Sequence, residues 1–206
     1  MNRGKFITIE GIEGVGKSTN IDFIASLLET SGRRVLKTRE PGGTPMAESI
    51  RDMLLAHGHE PVPDVAELLL FFASRALHLH NVIRPALARG DWVICDRFTD
   101  ASRAYQGFGR GLDLAMINTL AEWVHDGLDP DLTILLDAPA DVGLTRAGAR
   151  SSADRLESEK ASFYARVRDG YLELAAAEPG RFCVVDASKG LDEVQVAIAV
   201  AVGRFL

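Results

Sequence analysis

Cysteine is scarce: Cys95 and Cys183 are the two among 206 residues. Each sits in an apolar run without a partner at metal-ligand spacing, which argues against a disulfide framework or a zinc site. They read as reduced core thiols. Long hydrophobic runs are also missing. No stretch approaches the roughly 18 apolar residues of a membrane helix. Met1-Asn2-Arg3-Gly4-Lys5 leads directly into a strand-like segment rather than a signal-peptide core. The expectation is a cytoplasmic protein with no membrane partner. Basic residues are not in excess: 23 Lys and Arg against 29 Asp and Glu leave a net charge of −6, with a pI near 5.4. That excludes a general binder of nucleic acid polymers, but a small anionic substrate needs only a local cluster of cations. Repeats, low-complexity tracts and linkers are absent. The length predicts a single domain over 1–206, large enough to bury its own core.

What is present is alternation. Five short apolar runs, Phe6 to Glu10, Val35 to Thr38, Trp92 to Asp96, Leu132 to Asp137 and Phe182 to Asp186, read as strands. Between and after them lie helical patterns over Ser18 to Thr30, Met46 to Ala56, Val65 to Arg89, Leu114 to Asp126, Ser158 to Ala177 and Leu191 to Phe205. The pattern predicts an α/β fold, a five-stranded parallel sheet flanked by helices on both faces. Ala66 to Phe72 is apolar over more than one face, which predicts a deeply buried helix. Glu40 to Pro45, His57 to Pro63, Thr99 to Gly111 and Ala147 to Leu156 show no period and read as loops.

The strongest local signal is Gly11-Ile12-Glu13-Gly14-Val15-Gly16-Lys17-Ser18, a full match to the phosphate-loop pattern between a strand and a helix. The glycines let backbone N–H groups point at phosphate oxygens, and the helix N-terminus adds to that field. Lys17 would reach the β- and γ-phosphates of ATP. Ser18, with Thr19 beside it, would stand at a Mg²⁺ ion. Asp96, ending an apolar strand and followed by Arg97, is the expected acidic partner of the metal. Asp137 is its rival for that role.

No Asn-Lys-x-Asp guanine reader is present, which removes the GTPases. Instead the predicted loops carry Arg39, Arg75, Arg97, Arg110, Arg146, Arg150 and Arg155. On an acidic protein such a set suggests two phosphate groups meeting in one cleft, because the planar guanidinium fork binds phosphate oxygens in pairs.

Taken together, these segments resemble the bacterial thymidylate (dTMP) kinases, members of the phosphate-loop nucleoside monophosphate kinases. The resemblance runs through Phe6-Ile7-Thr8-Ile9-Glu10-Gly11, Thr38-Arg39-Glu40-Pro41-Gly42-Gly43-Thr44 and Phe71-Phe72-Ala73-Ser74-Arg75. It continues through Asp96-Arg97-Phe98, Ala104-Tyr105-Gln106-Gly107 and Pro130-Asp131-Leu132-Thr133, covering about the whole chain. It implies a phosphate-loop NTPase fold, ATP as donor with Mg²⁺, dTMP as acceptor and a homodimer packed through helices.

The resemblance also implies roles. Phe71 stacks on thymine, although core packing is the other reading of that ring, and Arg75 faces the same pocket one helical turn on. Ser102 bonds the base edge, Tyr105 closes the 2′ side of the sugar, and Gln106 stands near sugar or base. Arg39 and Arg97 hold the acceptor phosphate. Glu13 meets the 3′-hydroxyl or an arginine that binds it. The arginine-studded segment from about 146 to 157 has the composition of a lid that closes over phosphates. Arg146 would stack on adenine, whose other edge would meet Asp186-Ala187-Ser188-Lys189. Arg150, with Arg155 second, would supply a clamp like an arginine finger. Lys17, Arg97 and Arg150 are the expected catalytic set. The five histidines receive no catalytic role and read as surface or helix-packing residues. Phe108 and Arg103 depart from the family pattern beside the sugar. Two alternatives stand against this reading. A deoxynucleoside kinase would need a general base and fewer phosphate-binding arginines. A non-catalytic ATP-dependent switch would need no second phosphate pocket.

Overall fold

In the computed structural model, which describes residues 3–56, 61–148 and 160–206, the five apolar runs are five strands: Phe6–Glu10 (β1), Val35–Arg39 (β2), Trp92–Asp96 (β3), Leu132–Asp137 (β4) and Phe182–Asp186 (β5). They form one parallel sheet in the order β2-β3-β1-β4-β5. The central strands β1, β3 and β4 are buried almost throughout, the reason they read as continuous apolar runs. Alternation sorts their side chains between two cores. Ile7 and Ile9 of β1 and Trp92 and Ile94 of β3 join one cluster, while Phe6, Val93 and Cys95 join the other.

Helices Lys17–Thr30 (α1), Pro45–Leu55 (α2), Asp64–His78 (α3), Arg84–Ala88 (α4), Thr99–Ser102 (α5), Leu114–His125 (α6), Ala140–Gly148 (α7), Ala161–Ala177 (α8) and Leu191–Gly203 (α9) surround the sheet. A π-helical turn, Leu79–Ile83, joins α3 to α4, so the predicted long helix is continuous with one change of pitch. The parallel crossovers bring the loops after β1, β2, β3, β4 and β5 to one edge, where an open α/β sheet binds its ligands.

Three expectations need correction. Thr99 to Gly111 is not a loop: α5 runs directly into a π-helical segment, Arg103–Gly109. The stretch reads as a loop for want of a period, and Gly109 within it serves close packing, since a Cβ there would sit 2.7 Å from the Phe163 ring. α7 was missed, and it carries the chain through Gly148, the start of the expected 147–156 loop. The Ala66 to Phe72 stretch is not buried on all sides. Leu68 and Phe72 pack against Ile117 and Ala121 of α6, but Leu69 is 51% exposed.

Candidate functional site

The loop Gly11 to Ser18 joins β1 to α1 at this sheet edge. The first turn of α1 has no side-chain cap and no acidic residue, so its amide groups remain available to an anion. Lys17 Nζ donates to the carbonyl oxygens of Gly11, at 3.2 Å, and Ile12, at 2.9 Å. Burial, helped by the Arg97 charge, pushes the Lys17 ammonium down to about 8. Ser18 and Thr19 are exposed at the mouth, while Ile12 and Val15 turn into the core.

Arg97 follows β3 with φ 67, a left-handed conformation unusual for a side-chain-bearing residue. Four contacts hold it there. Nη1 donates to Gly11 O at 2.9 Å and to the Tyr171 hydroxyl at 3.2 Å, and Nη2 donates to Glu13 Oε1 at 2.7 Å and to the Tyr105 hydroxyl at 3.0 Å. Tyr105 in turn donates to the Glu13 carboxylate. Glu13 thus pairs with an arginine, Arg97. Beneath them lies Glu10, which sequence reasoning passed over. It accepts from the Phe98 backbone N–H and from the Tyr171 hydroxyl, both at 2.7 Å. Burial, with Asp100 adding, raises its carboxyl to about 8 against the pull of Arg97 and these hydrogen bonds. An acid closing an otherwise apolar strand was the signal available for it.

Asp96 and Arg39 are register partners on β3 and β2. Asp96 Oδ1 is a buried oxygen without a hydrogen-bond partner among the described residues. Asp137 is committed elsewhere: Arg168 donates to both its oxygens, at 2.7 and 2.9 Å. Arg39 is about half exposed and pairs with Glu48 at 2.7 Å.

The second half of the site lies under α3. Arg75 is 1% exposed, an arginine in the core. Its guanidinium lies 4.6 Å from the Phe72 ring and 5.3 Å from the Phe98 ring, and it donates to Ser102 Oγ and to Phe98 O. The predicted pair Arg75 and Ser102 is thus in contact. Phe71, four residues before Arg75, is half-buried, whereas Phe72 takes the core position. Gln106 donates through Nε2 to Glu67 at 3.0 Å, and Arg110 donates to the same carboxylate at 2.8 Å. The two departures from the family pattern are accommodated. Phe108 fills space that only a glycine at 170 leaves open, since a Cβ there would lie 2.5 Å from its ring. Arg103 turns from Ser102 toward Asp100 and Asn118.

At the other end of the sheet edge, Arg146 of α7 donates to Ala187 O at 2.9 Å, bringing together the two segments expected around adenine. Arg150, Arg155 and the remainder of the lid to 157 lie outside the described residues. His57 and His59 do as well. His80 is exposed, but His78 and His125 are buried and hydrogen-bonded to carboxylates.

A phosphate loop with Arg97 latched to it, and the buried Arg75 held by Phe98 O on the same parallel sheet, has the make-up of a nucleotide phosphotransferase. Comparison with known proteins agrees. The thymidylate kinase family model matches residues 9–198, and the chain belongs to the thymidylate kinase family, a family of nucleoside monophosphate kinases. It is 58% identical to the thymidylate kinase of Methylococcus capsulatus over all of this chain and 98% of that one. It is 55% identical to that of Hahella chejuensis over 97% and 96%. The crystal structure of thymidylate kinase from Ehrlichia chaffeensis superposes with a TM-score of 0.76 at 33% identity, over 98% and 99% of the two chains.

Proposed function

We propose that the protein transfers the γ-phosphoryl group of ATP to dTMP, giving dTDP and ADP, with Mg²⁺ accompanying the ATP. The observation that carries this reading is the link between the two halves: Arg97 touches the phosphate loop at Gly11 and Glu13, and the carbonyl of the next residue, Phe98, accepts from the buried Arg75. An acceptor phosphate held by Arg97 would meet the γ-phosphate held by Lys17 and the loop amides.

In the transfer, an oxygen of the dTMP phosphate forms a bond to the γ-phosphorus and the bond to the β–γ bridging oxygen breaks. The acceptor oxygen is already nucleophilic at neutral pH, so no general base is needed, and the work is positioning and charge neutralisation. Lys17 and Arg97 supply cations in place. We assign Arg150, with Arg155 second, as the lid cation that closes on the same charge, and Gly11 to Thr19 with Arg146 as the ATP surface. Phe71, Arg75, Ser102, Tyr105 and Gln106 take base and sugar, Glu13 takes the 3′-hydroxyl or Arg97, and Arg39 shares the acceptor phosphate. Tyr105, held by Glu13 and Arg97, crowds the 2′ side and favours deoxyribose.

Mg²⁺ suits the groups present. Asp96 offers an unpartnered oxygen and Ser18 an exposed hydroxyl, and no cluster of three metal-ligating side chains exists among the described residues. A cation held by so few protein ligands keeps phosphate and water oxygens, as Mg²⁺ does. When bound, it would neutralise charge on the β- and γ-phosphates.

We also assign a homodimer. Met46 and Met53 of α2, Val65 and Leu69 of α3, and Met116 and Trp123 of α6 are apolar and exposed, Trp123 by 77%, on helices packed side by side. An isologous contact would cover them. Leu69→Glu should convert the dimer to monomer in light scattering. We place the enzyme in the cytoplasm, in keeping with its free thiols and phosphorylated substrates.

The decisive assay is ADP release with ATP·Mg²⁺ and dTMP, dUMP, thymidine or no acceptor. Turnover with dTMP, lost in Arg97→Ala, supports the reading. Turnover with thymidine but not dTMP would move the chain to the nucleoside kinases, and ATP binding without acceptor-dependent turnover would make it a switch.

A further inference from the structure

Arg75 is expected to read the acceptor base, yet a guanidinium in the core needs something to hold both its charge and its direction. Four of its five N–H groups are already taken. Nε donates to Glu40 Oε2 at 2.6 Å, Nη1 and Nη2 each donate to Ser102 Oγ at 3.2 Å, and Nη2 also donates to Phe98 O at 3.2 Å. The Phe72 and Phe98 rings hold its plane. Among the described residues, one Nη1 N–H is left over. Glu40 is its one carboxylate partner in this set, and that side chain is itself 3% exposed.

Glu40 does not act alone. Its other oxygen, Oε1, accepts from His78 Nδ1 at 3.0 Å, and His78 Nε2 lies 2.6 Å from Thr38 Oγ1. Because a carboxylate can only accept, the ring proton sits on Nδ1, and a neutral ring takes the Thr38 hydroxyl proton at Nε2. Burial pushes the Glu40 carboxyl up, but Arg75 and His78 outweigh it and hold the group below the usual carboxylate range. The loop is shaped around this chain: a Cβ at Gly43, where φ is 87, would lie 2.5 Å from the His78 ring. Ser74 Oγ on α3 accepts from Gly42 N at 3.1 Å, pinning the same loop from the helix side.

The backbone of Glu40 completes the link. Its N–H donates to Asp96 O at 3.0 Å, between Arg39 on one side and Arg97 on the other strand. Phe98, whose carbonyl holds Arg75, is the residue after Arg97. One buried acid therefore touches the base reader through its side chain and the phosphate arginines' strand ends through its main chain.

We propose that Glu40, braced by His78 and Thr38, is a positioning residue for the acceptor: it aims the last N–H of Arg75 at an acceptor atom of the base and locks that reader to the strands carrying Arg39 and Arg97. This rests on the reading of Arg75 as base-binding given above. It makes the discrimination of a pyrimidine 4-carbonyl from a 4-amino group depend on a residue that touches no substrate. An amino group at that position offers a donor where the Arg75 N–H requires an acceptor.

The experiment is steady-state kinetics on the full chain with Glu40→Gln, which keeps the side-chain shape and removes the charge. The expected result is a KM for dTMP at least about tenfold higher, the size expected when a hydrogen bond to a charged group is lost. The KM for ATP should move less than about twofold. The kcat/KM preference for dTMP over dCMP should shrink by a similar factor, since a loosened arginine no longer enforces a carbonyl. Thr38→Val, which removes only the far hydroxyl, provides a milder variant should Glu40→Gln fold poorly. It should raise the KM for dTMP about two- to fivefold at constant KM for ATP. A parallel rise in both KM values, an unchanged dTMP-to-dCMP preference in Glu40→Gln, or no effect of Thr38→Val on the dTMP KM would overturn the proposal. Absence of dTMP-dependent turnover in the unsubstituted protein would instead sink the kinase reading itself.

Discussion

The two halves of the site are built from different materials. On the side proposed for the acceptor the polar groups are buried: Arg75, Glu40, His78, Ser102 and Gln106 are each covered and joined by hydrogen bonds between distant segments. On the side proposed for the donor the phosphate loop presents main-chain amides, Ser18 and Thr19 are exposed, and Arg146 donates to Ala187 O. A base differs from its competitors by one or two functional groups, and rejecting the wrong one needs donors that cannot reorient. A triphosphate is recognised by charge, which amides and a helix terminus supply with Lys17 as the one cation of the loop itself. The comparison teaches that the acceptor half ties function to stability, whereas the donor half does not.

That contrast can be broken by substitution. The largest expected effect is Arg75→Met, which strips a buried carboxylate of its partner. It should cost about 3–5 kcal/mol of folding stability and should show as a lowered denaturation midpoint even without ligand. An unchanged midpoint would put the acceptor half on the same footing as the donor half. Lys17→Met should lower kcat by about 10²–10³, roughly 2.7–4 kcal/mol of transition-state stabilisation. It should leave the melting temperature of the ligand-free protein no lower, because its ammonium gains little from burial.

A third test lies where the halves meet. The Glu10 carboxyl, raised to about 8 in the fold, binds a proton that the unfolded chain releases near its ordinary value of 4.5. Its contribution to stability is therefore present below pH 4.5 and is lost as pH rises toward 8. Chemical denaturation between pH 5 and 8.5 should show stability falling with pH, and Glu10→Gln should flatten that slope. A slope of equal size in the variant would assign it to other groups. The smallest effect is expected from Arg146→Ala, a few-fold rise in the KM for ATP with stability changed by no more than about 1 kcal/mol, since Arg146 is an exposed residue that gives up a single part-buried hydrogen bond.

Some of this site was plain in the residues and some was not. The phosphate loop declares itself because its chemistry is local: glycines, lysine and serine at set spacing between a strand and a helix. The five strands were legible because β1, β3 and β4 are covered on both faces and must be apolar throughout. The segment from Thr99 to Gly111 misled, since a π-helical stretch does not keep the 3.6-residue period by which a helix is read. Arg146 and Ala187 were matched across 41 positions through family resemblance, a pairing that periodicity alone does not reveal.

Glu40, His78 and Glu10 mark the boundary most sharply. Each was in view as a letter, Glu40 even within the quoted Arg-Glu-Pro-Gly-Gly run, yet none received a function. Composition, alternation and the phosphate loop determined the architecture and the phosphate-binding edge, because those depend on solvent exposure and on spacings of a few residues, while the family came from the resemblance of the motifs spread along the chain. Only the tertiary structure decided which carboxylate neutralises Arg75, that Asp137 belongs to Arg168 while Asp96 keeps a bare oxygen, and that Arg97 is latched to Glu13. Those pairings join residues 31 to 84 positions apart. They form only when the crossovers bring strand ends and helix faces together, and for Arg75 and Glu40 burial then makes the pairing too costly to leave unmade.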